Sequence, residues 1–276
     1  MKKLGLALGG GGARGCAHVG VIRALQEAEI PIHCVAGTSM GALVGGVFAA
    51  GHLDDLEAYL EKIRWSDVLT QMDPTMMSNG LLKGGKLKKL LEKMVQEKVI
   101  EACQIPFAAM ATSLNDGTAV VLKKGSLPEA IRASVSLPGI LVPVQQGEDH
   151  LIDGGVVNPL PIDEARKMGA ELVLAIDLSR EYVYEQHERG KDEKEEGMKK
   201  WLSADYPSLL DVMEGALFLM QRGVMEKNLI DDPADVMMHL KLSSARLFDF
   251  HKAKKLIKEG YEAMQKEILN LKKLLD

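Results

Sequence analysis

The pattern of apolar and polar residues in the first fifty positions predicts two strands, each followed by a helix. The short runs Lys3–Leu8 and Pro31–Ala36 are typical of buried strands. Ala17–Ala28 repeats its apolar residues at helical spacing, and Ala42–Ala50 is apolar enough for a buried helix that ends at Gly51. This alternation predicts parallel strands whose functional loops lie at their carboxyl ends.

The middle of the chain predicts a helical cap and then more strands. From about residue 54 to residue 100 the pattern is helical and amphipathic, which we interpret as a cap over the first layer. Pro106–Leu114 and Thr118–Leu122 flank the turn Asn115–Gly117, so we expect a hairpin and hence a mixed sheet. The other predicted elements are the strand-like segment His150–Ile152, the core strand Glu171–Asp177 at which the core closes, and helices over Pro128–Ser134, Pro161–Met168, Pro207–Ile230 and Asp249–Leu275.

These elements predict one α/β domain over residues 1–276, with its C-terminal helices in residues 207–276. Residues 180–200, which precede these C-terminal helices, are strongly polar, and no aliphatic residue occurs from Glu188 to Glu196. Such a segment has too little apolar surface to join a core, so we expect a charged surface loop there.

Composition narrows the class of protein. The chain has 46% apolar residues, a formal charge of -5 and scattered basic residues, which argues against a nucleic-acid partner. Three cysteines without a CxxC pair suggest neither disulfides nor a zinc site. Charges interrupt every apolar run, and the N-terminal one is too short for a signal peptide, so we expect a cytoplasmic protein that could still contact a membrane peripherally.

The first candidate motif is the glycine-rich stretch Gly9–Gly15, GGGGARG, between a predicted strand and a predicted helix. Its glycines satisfy a dinucleotide-binding fingerprint, although no acidic residue ends the second strand to hold a ribose. Alternatively, its backbone N–H groups could converge on a developing oxyanion. A plain tight turn is the third interpretation.

The second candidate motif is GTSMG at Gly37–Gly41, which has the GxSxG pattern of a nucleophile elbow. In such an elbow, flanking glycines let a strained turn expose the serine hydroxyl, here that of Ser39. The predicted strand before it and the apolar helix after it are the required context. The competing interpretation is that Ser39 is only a helix N-cap.

The third candidate motif is Asp153-Gly154-Gly155, which by itself is ordinary turn chemistry. It gains weight because a serine nucleophile needs a base, and none of the seven histidines follows a predicted strand beside an acidic partner. Asp153 is therefore the candidate base for Ser39.

These three motifs in this order resemble the patatin-like phospholipases, specifically the short bacterial members. The resembling blocks are GGGARG at Gly10–Gly15, GTSMG at Gly37–Gly41 and DGG at Asp153–Gly155, and the resemblance extends from Lys3 to about Leu178. Two weaker stretches support it: ASVSLPGILVPV at Ala133–Val144 and DGGVVNPLP at Asp153–Pro161.

The resemblance implies a three-layer α/β/α fold around a central mixed, mainly parallel sheet, and a Ser-Asp dyad. In this family Ser39 would be the nucleophile and Asp153 the general base, with no metal or other cofactor. The implied supporting residues are Gly10, Gly11 and Gly12 as the oxyanion hole, Arg14 to fix the glycine loop or meet an anionic headgroup, and the motif glycines Gly37, Gly41, Gly154 and Gly155.

The resemblance also implies a serine acyl hydrolase that cleaves carboxylic esters of lipids. The alternatives are a regulatory or scaffold protein of the same fold with weak catalysis, and a dinucleotide-binding protein. A lipid substrate needs an apolar trough, for which the stretch from Val68 to Leu91 is a candidate, although a plain packed cap explains the same pattern. Lysines of this stretch could meet anionic lipid headgroups, or simply face solvent.

Overall fold

The computed structural model describes residues 1–64, 66–67, 73, 82–96, 98–179, 209–242 and 245–276. Within these ranges the strands are β1 Leu4–Leu8, β2 Ile32–Thr38, β3 Phe107–Ser113, β4 Ala119–Leu122, β5 Val144–Gln146, β6 Asp149–Asp153, β7 Leu172–Asp177 and β8 Val236–His239. The helices are α1 Ala17–Glu27, α2 Met40–Ala49, α3 Leu53–Lys62, α4 Gly85–Val95, α5 Leu127–Ser134, α6 Ile162–Lys167, α7 Leu209–Asp231 and α8 Ala253–Leu275. Short 3-10 turns occur at Gly12–Cys16, Ile100–Ala102, Gly154–Val156 and Phe250–Lys252.

One mixed sheet organises the described residues, in the order β5-β6-β3-β2-β1-β7-β8, with β4 paired to β3. Strands β3, β2, β1, β7 and β8 are mutually parallel, whereas β4 and β6 pair antiparallel with β3 and β5 pairs antiparallel with β6. The central strand β1 is buried along its whole length, which matches its nearly continuous apolar sequence.

Helices cover both faces of the sheet. The larger apolar cluster joins α1, α2, α3 and α8 to one face, and a smaller cluster joins α6 and the C-terminal half of α7 to the other. The fold is thus a three-layer α/β/α arrangement with a mixed, mainly parallel sheet, as the resemblance implied. None of the helices in the described ranges combines the length and apolar content that crossing a bilayer requires.

Most elements lie within two or three residues of their predicted bounds, but the prediction that the core closes at β7 was wrong. Strand β8 pairs in parallel with β7 and extends the sheet by one strand. Val236, Met238 and Leu240 alternate into the core there, so the period-two signal of a strand was present in the sequence. Strand β5 was also missed, since three residues are too few for a recognisable pattern.

Two predicted features lie wholly or partly outside the described residues. The charged segment 180–200 is outside them, as are Val68, Leu69, Met72, Met76, Met77 and Leu81 of the candidate trough.

Candidate active site

Ser39 stands between β2 and α2, at the carboxyl edge of the sheet. Its backbone has φ 55 and ψ -123, an unusual conformation for a residue other than glycine. The side chain makes no capping hydrogen bond to α2. A strained serine that does not cap its helix matches a nucleophile elbow and argues against the N-cap interpretation.

The flanking glycines of GTSMG are required by the close approach of neighbouring backbone. A Cβ at Gly41 would lie 2.1 Å from the carbonyl oxygen of Leu8, and one at Gly37 would lie 2.5 Å from the carbonyl oxygen of Gly41. Leu8 also pairs with Gly37 across β1 and β2, so the glycine-rich loop after β1 leaves the sheet beside Ser39. The first two motifs are therefore adjacent in space.

Asp153 ends β6 at the same edge of the sheet and is completely buried. It pairs with Ala111 of β3, whose preceding residue, Met110, pairs with Thr38 of β2. The chain then turns closely past β3 at Gly154, where a Cβ would lie 2.4 Å from the Met110 carbonyl oxygen. The predicted base thus reaches the predicted nucleophile across one intervening strand.

The Asp153 carboxylate is held on one side only. Its Oδ1 accepts a hydrogen bond of 2.7 Å from the Gly155 N–H, whereas Oδ2 has no well-formed hydrogen bond among the described residues. Burial raises the pKa of Asp153 to about 6, although the nearby Ser39 hydroxyl and the Gly155 N–H each lower it. The Ser39 contact falls short of ideal hydrogen-bond geometry, which is common for catalytic pairs without substrate.

The segment at the end of α5 holds the backbone of both Ser39 and Asp153. The backbone N–H of Ser39 donates to the buried Ser134 Oγ at 2.9 Å, and that of Asp153 donates to the Ser136 carbonyl at 2.9 Å. Neither serine was predicted to support the site. Both serines lie in the stretch ASVSLPGILVPV, which supported the resemblance. The sequence does not reveal that the Ser134 hydroxyl and the Ser136 carbonyl accept hydrogen bonds from the backbone of Ser39 and Asp153.

The glycine-rich loop contributes Gly11 and Gly12 to the site, while the predicted role of Gly10 needs correction. The N–H of Gly10 donates to the Pro159 carbonyl at 3.2 Å, so it is engaged in holding the loop. Gly11 and Gly12 line the cavity at Ser39, and their N–H groups make no hydrogen bond to other described residues. Oxyanion donation from Gly11 and Gly12 therefore stays a prediction that fits the geometry.

Arg14 is buried and does not line the cavity, which favours its predicted role of fixing the glycine loop over meeting a headgroup. Its Nε donates to the Ala245 carbonyl at 2.8 Å, and a guanidinium nitrogen lies 3.6 Å from a carboxylate oxygen of Glu214. The guanidinium also stacks on Phe218, 4.5 Å from the ring centre. Arg14 thus fixes the glycine loop to α7 and to the residues before α8.

His18 on α1 also supports the glycine-rich loop. It is fully buried, and its Nε2 donates to the Gly9 carbonyl at 2.9 Å. Burial lowers the pKa of His18 to about 4, more than its hydrogen bond to Gly9 raises it. The ring is therefore neutral near pH 7 and acts as a structural donor.

An apolar cavity of about 220 Å³ opens at Ser39. Its walls come from α3, α4, the segment after α5, α7 and the residues before α8. The described members of the candidate trough, Leu82, Leu87, Leu90 and Leu91, all line it, so this part of the cap forms a cavity wall as well as packing on the core. Asp73 is the only charged residue among the described lining, and its carboxylate accepts the N–H groups of Gly84 and Gly85.

No metal centre is evident at this site or elsewhere in the part of the chain that the structure describes. No group of three or more His, Cys, Asp or Glu side chains there could hold an ion.

Comparison with known proteins places this chain in a family. An uncharacterized NTE family protein of Mycobacterium bovis is 40% identical over 177 residues, which are 64% of this chain and 49% of that protein. The human patatin-like phospholipase domain-containing protein 6 is 38% identical over 185 residues, 63% of this chain and 13% of that protein. The matched segment is therefore half or less of either relative.

Among solved structures, VipD from Legionella pneumophila aligns over 98% of this chain and 67% of its own, with 13% identity and a TM-score of 0.49.

The model of the family described as patatin-like phospholipase matches residues 6–166, which are more than half of the chain and contain all three motifs. The chain belongs to the patatin-like phospholipase family.

Proposed function

We propose that this protein is a serine acyl hydrolase that cleaves carboxylic esters of lipids, with Ser39 as the nucleophile and Asp153 as the base. One observation carries the proposal: Ser39 sits in a strained elbow that opens onto an apolar cavity, and its hydroxyl lies near the buried carboxylate of Asp153. The sequence relatives support the same class of reaction, since their family is named for phospholipase activity.

In the proposed reaction, the Ser39 Oγ attacks the ester carbonyl carbon while its proton passes to Asp153. The carbonyl oxygen becomes an oxyanion that accepts hydrogen bonds from the Gly11 and Gly12 N–H groups, at the amino end of α2 where negative charge is favoured. The C–O bond to the alcohol then breaks, and the alcohol leaves with the proton from Asp153. Water next attacks the acyl-enzyme and gives a proton to Asp153. The bond between the acyl carbon and the Ser39 Oγ then breaks, Asp153 returns the proton to Ser39, and the acid is released.

The environment of Asp153 suits a general base. A carboxylate with a pKa of about 6 is a stronger base than an ordinary aspartate, yet it is still mostly ionised near pH 7. Its Oδ2 has room for the proton, because that oxygen has no well-formed hydrogen bond among the described residues. We therefore expect kcat/KM to fall as the pH drops below about 6.

The cavity favours an uncharged acyl chain over a charged group. Its described lining is almost entirely aliphatic and aromatic and includes no lysine or arginine. An acyl chain in this cavity would place its ester carbonyl beside Ser39 and leave the headgroup towards solvent. This supports lipid esters as the substrate class without selecting a headgroup.

The test is hydrolysis of p-nitrophenyl esters by wild type, Ser39→Ala, Asp153→Asn and the control Ser66→Ala, which changes an exposed serine. Loss of the nucleophile should lower kcat by about 10⁴-fold or more, and loss of the base should also remove most activity. A fluorophosphonate should label wild type and the control but not Ser39→Ala. Unchanged hydrolysis by Ser39→Ala would refute the nucleophile, and a wild type that neither hydrolyses nor labels would favour a scaffold role.

A further inference from the structure

The outward face of helix α7 is apolar over residues 212–223, before the exposed Glu226 and Lys227. We define the α7 stripe as Val212, Ala216, Leu219, Met220 and Gly223, whose spacing of four, three, one and three residues places them on one side of the helix. Val212, Leu219 and Met220 are 50%, 60% and 63% exposed. The opposite side of the helix is buried through Glu214, Phe218, Gln221 and Met225.

A surface helix of a soluble domain ordinarily presents polar or charged residues on its outer face. The α7 stripe has none over three turns, although 26% of the whole chain is charged. Single exposed apolar residues are common and need no explanation, but a continuous row of them marks a site of interaction.

The α7 stripe borders the cavity at Ser39. Leu217 and Phe218 of α7 line that cavity, while the next two residues, Leu219 and Met220, do not. Leu217 and Met220 are three residues apart and are therefore neighbours along the helix surface. Apolar surface thus continues from the cavity wall around α7 to the outside of the molecule.

We propose that the α7 stripe docks on the surface of a lipid bilayer, with α7 lying in the plane of the interface. This rests on the proposed lipid hydrolase function, because docking there would bring the cavity mouth against its substrate. A helix with apolar side chains on its outer face buries them in the boundary between headgroups and acyl chains. Since the stripe carries no charge, its binding needs no anionic lipid.

A second copy of this chain fits the stripe less well than a bilayer does. A stable protein interface buries about 800 Å² on each partner and involves roughly 20 to 30 residues a side. The stripe supplies five residues on one helix, two of which are Ala216 and Gly223. A bilayer has no such size requirement, because each inserted side chain contributes by itself.

The test is co-sedimentation with phosphatidylcholine vesicles, comparing wild type with the double variant Leu219→Glu/Met220→Glu. Burial of each large apolar side chain contributes about tenfold to partitioning, so we expect the double variant to bind at least about tenfold more weakly. The matched control is Leu269→Glu on α8, where a leucine that is 75% exposed lies outside the stripe. It should bind like wild type, and raised NaCl should leave wild-type binding unchanged.

Hydrolysis of a water-soluble p-nitrophenyl ester by the same proteins separates docking from catalysis. We expect equal rates for wild type and the double variant, which also shows that the variant is folded. Vesicle binding that is absent in wild type, or unchanged in the double variant, would overturn the proposal. A wild-type dimer that the double variant loses, without vesicle binding, would make the stripe a self-interface instead. Vesicle binding without any ester hydrolysis would refute the hydrolase function and leave the docking surface intact.

Discussion

At the scale of single residues, the burial of Asp153 carries a cost to folding, and the same burial suits its proposed role as the base. The carboxyl is fully buried, and only one of its oxygens has a well-formed hydrogen bond among the described residues. Its pKa is about 6 in the folded protein against about 3.9 in an unfolded chain. Between those values the unfolded state ionises first, so the folding free energy becomes less favourable as the pH rises from about 4 to about 6.

We therefore predict that Asp153→Asn stabilises the protein above pH 6 while removing activity. Asparagine does not titrate and keeps an oxygen for the Gly155 N–H, so the gain above pH 6 should be about 2 to 3 kcal/mol. At about pH 4 the gain should largely vanish, because the folded-state carboxyl is then almost wholly protonated and the unfolded one is only about half ionised. Urea unfolding of wild type and variant at the two pH values measures this difference.

Asp163→Asn is the matched control, with the opposite sign. Burial raises the pKa of Asp163, but hydrogen bonds from Lys167 and Asn158 outweigh it, so the pKa lies below its ordinary value. Its removal should destabilise the protein near pH 7 and matter less as the pH falls through that lowered pKa. Equal unfolding free energies for Asp153→Asn and wild type at both pH values would show that burial does not raise the Asp153 pKa.

At the scale of elements, helix α5 links the cap to Ser39. Asp73 caps its first turn, and the buried Arg132 of α5 donates to the carbonyls of Lys83 and Val142 and to the Ser136 hydroxyl. The same α5 ends in Ser134, which holds the Ser39 N–H. Helix α5 therefore positions both the segment that begins α4 at the cavity wall and the backbone of Ser39.

We predict that Met94→Trp on α4 shortens the preferred acyl chain. Met94 lines the cavity together with residues of α3, so a larger ring there should block the space that the distal carbons of a long chain would fill. The ratio of kcat/KM for long over short p-nitrophenyl esters should fall by about tenfold or more.

Lys93→Trp is the control for this change, because Lys93 is an exposed neighbour on α4 that does not line the cavity. It should leave the chain-length ratio unchanged. An unchanged ratio in Met94→Trp would mean that the acyl chain does not lie between α3 and α4.

At the scale of the whole molecule, the C-terminal part of the chain completes the site. The family match ends at residue 166, yet Arg14 in the glycine loop depends on Glu214 and Ala245. Helix α8 packs on α1 so closely that a Cβ at Gly260 would lie 2.1 Å from the Ala17 carbonyl oxygen. The glycine loop leads directly into α1, so α8 supports the helix that follows the predicted oxyanion donors.

We predict that Gly260→Ala destabilises the protein by about 1 to 3 kcal/mol, because the new methyl group overpacks the contact between α8 and α1. Gly223→Ala on α7 is the matched control, since no described atom lies within 4 Å of the position its Cβ would take. Alanine favours a helix by up to about 1 kcal/mol over glycine, so that control should be slightly stabilised. Thermal unfolding of both variants distinguishes them, and a stabilised Gly260→Ala would contradict the close packing of α8 on α1.

The sequence by itself determined most of the elements and the position of the GxSxG motif. Helices and strands have local periods, so β1, α1, β2 and α2 could be predicted close to their observed bounds. The hairpin at Asn115–Gly117 was also predictable, because a turn depends on its own residues. Ser39 could be located for the same reason, since its elbow is built by Gly37 and Gly41 within five residues.

Only the tertiary structure decided how the motifs meet. Asp153 reaches Ser39 because β6 reverses direction beside β3, and no local pattern encodes the order of strands in a sheet. The Gly10 N–H donates to the Pro159 carbonyl, and Arg14 contacts Ala245 and Glu214. These partners lie 149 to 231 positions further along the chain, so the motif itself gives no signal of them. Local propensity fixes what each segment can form, whereas burial and long-range hydrogen bonding decide which polar groups remain available for chemistry.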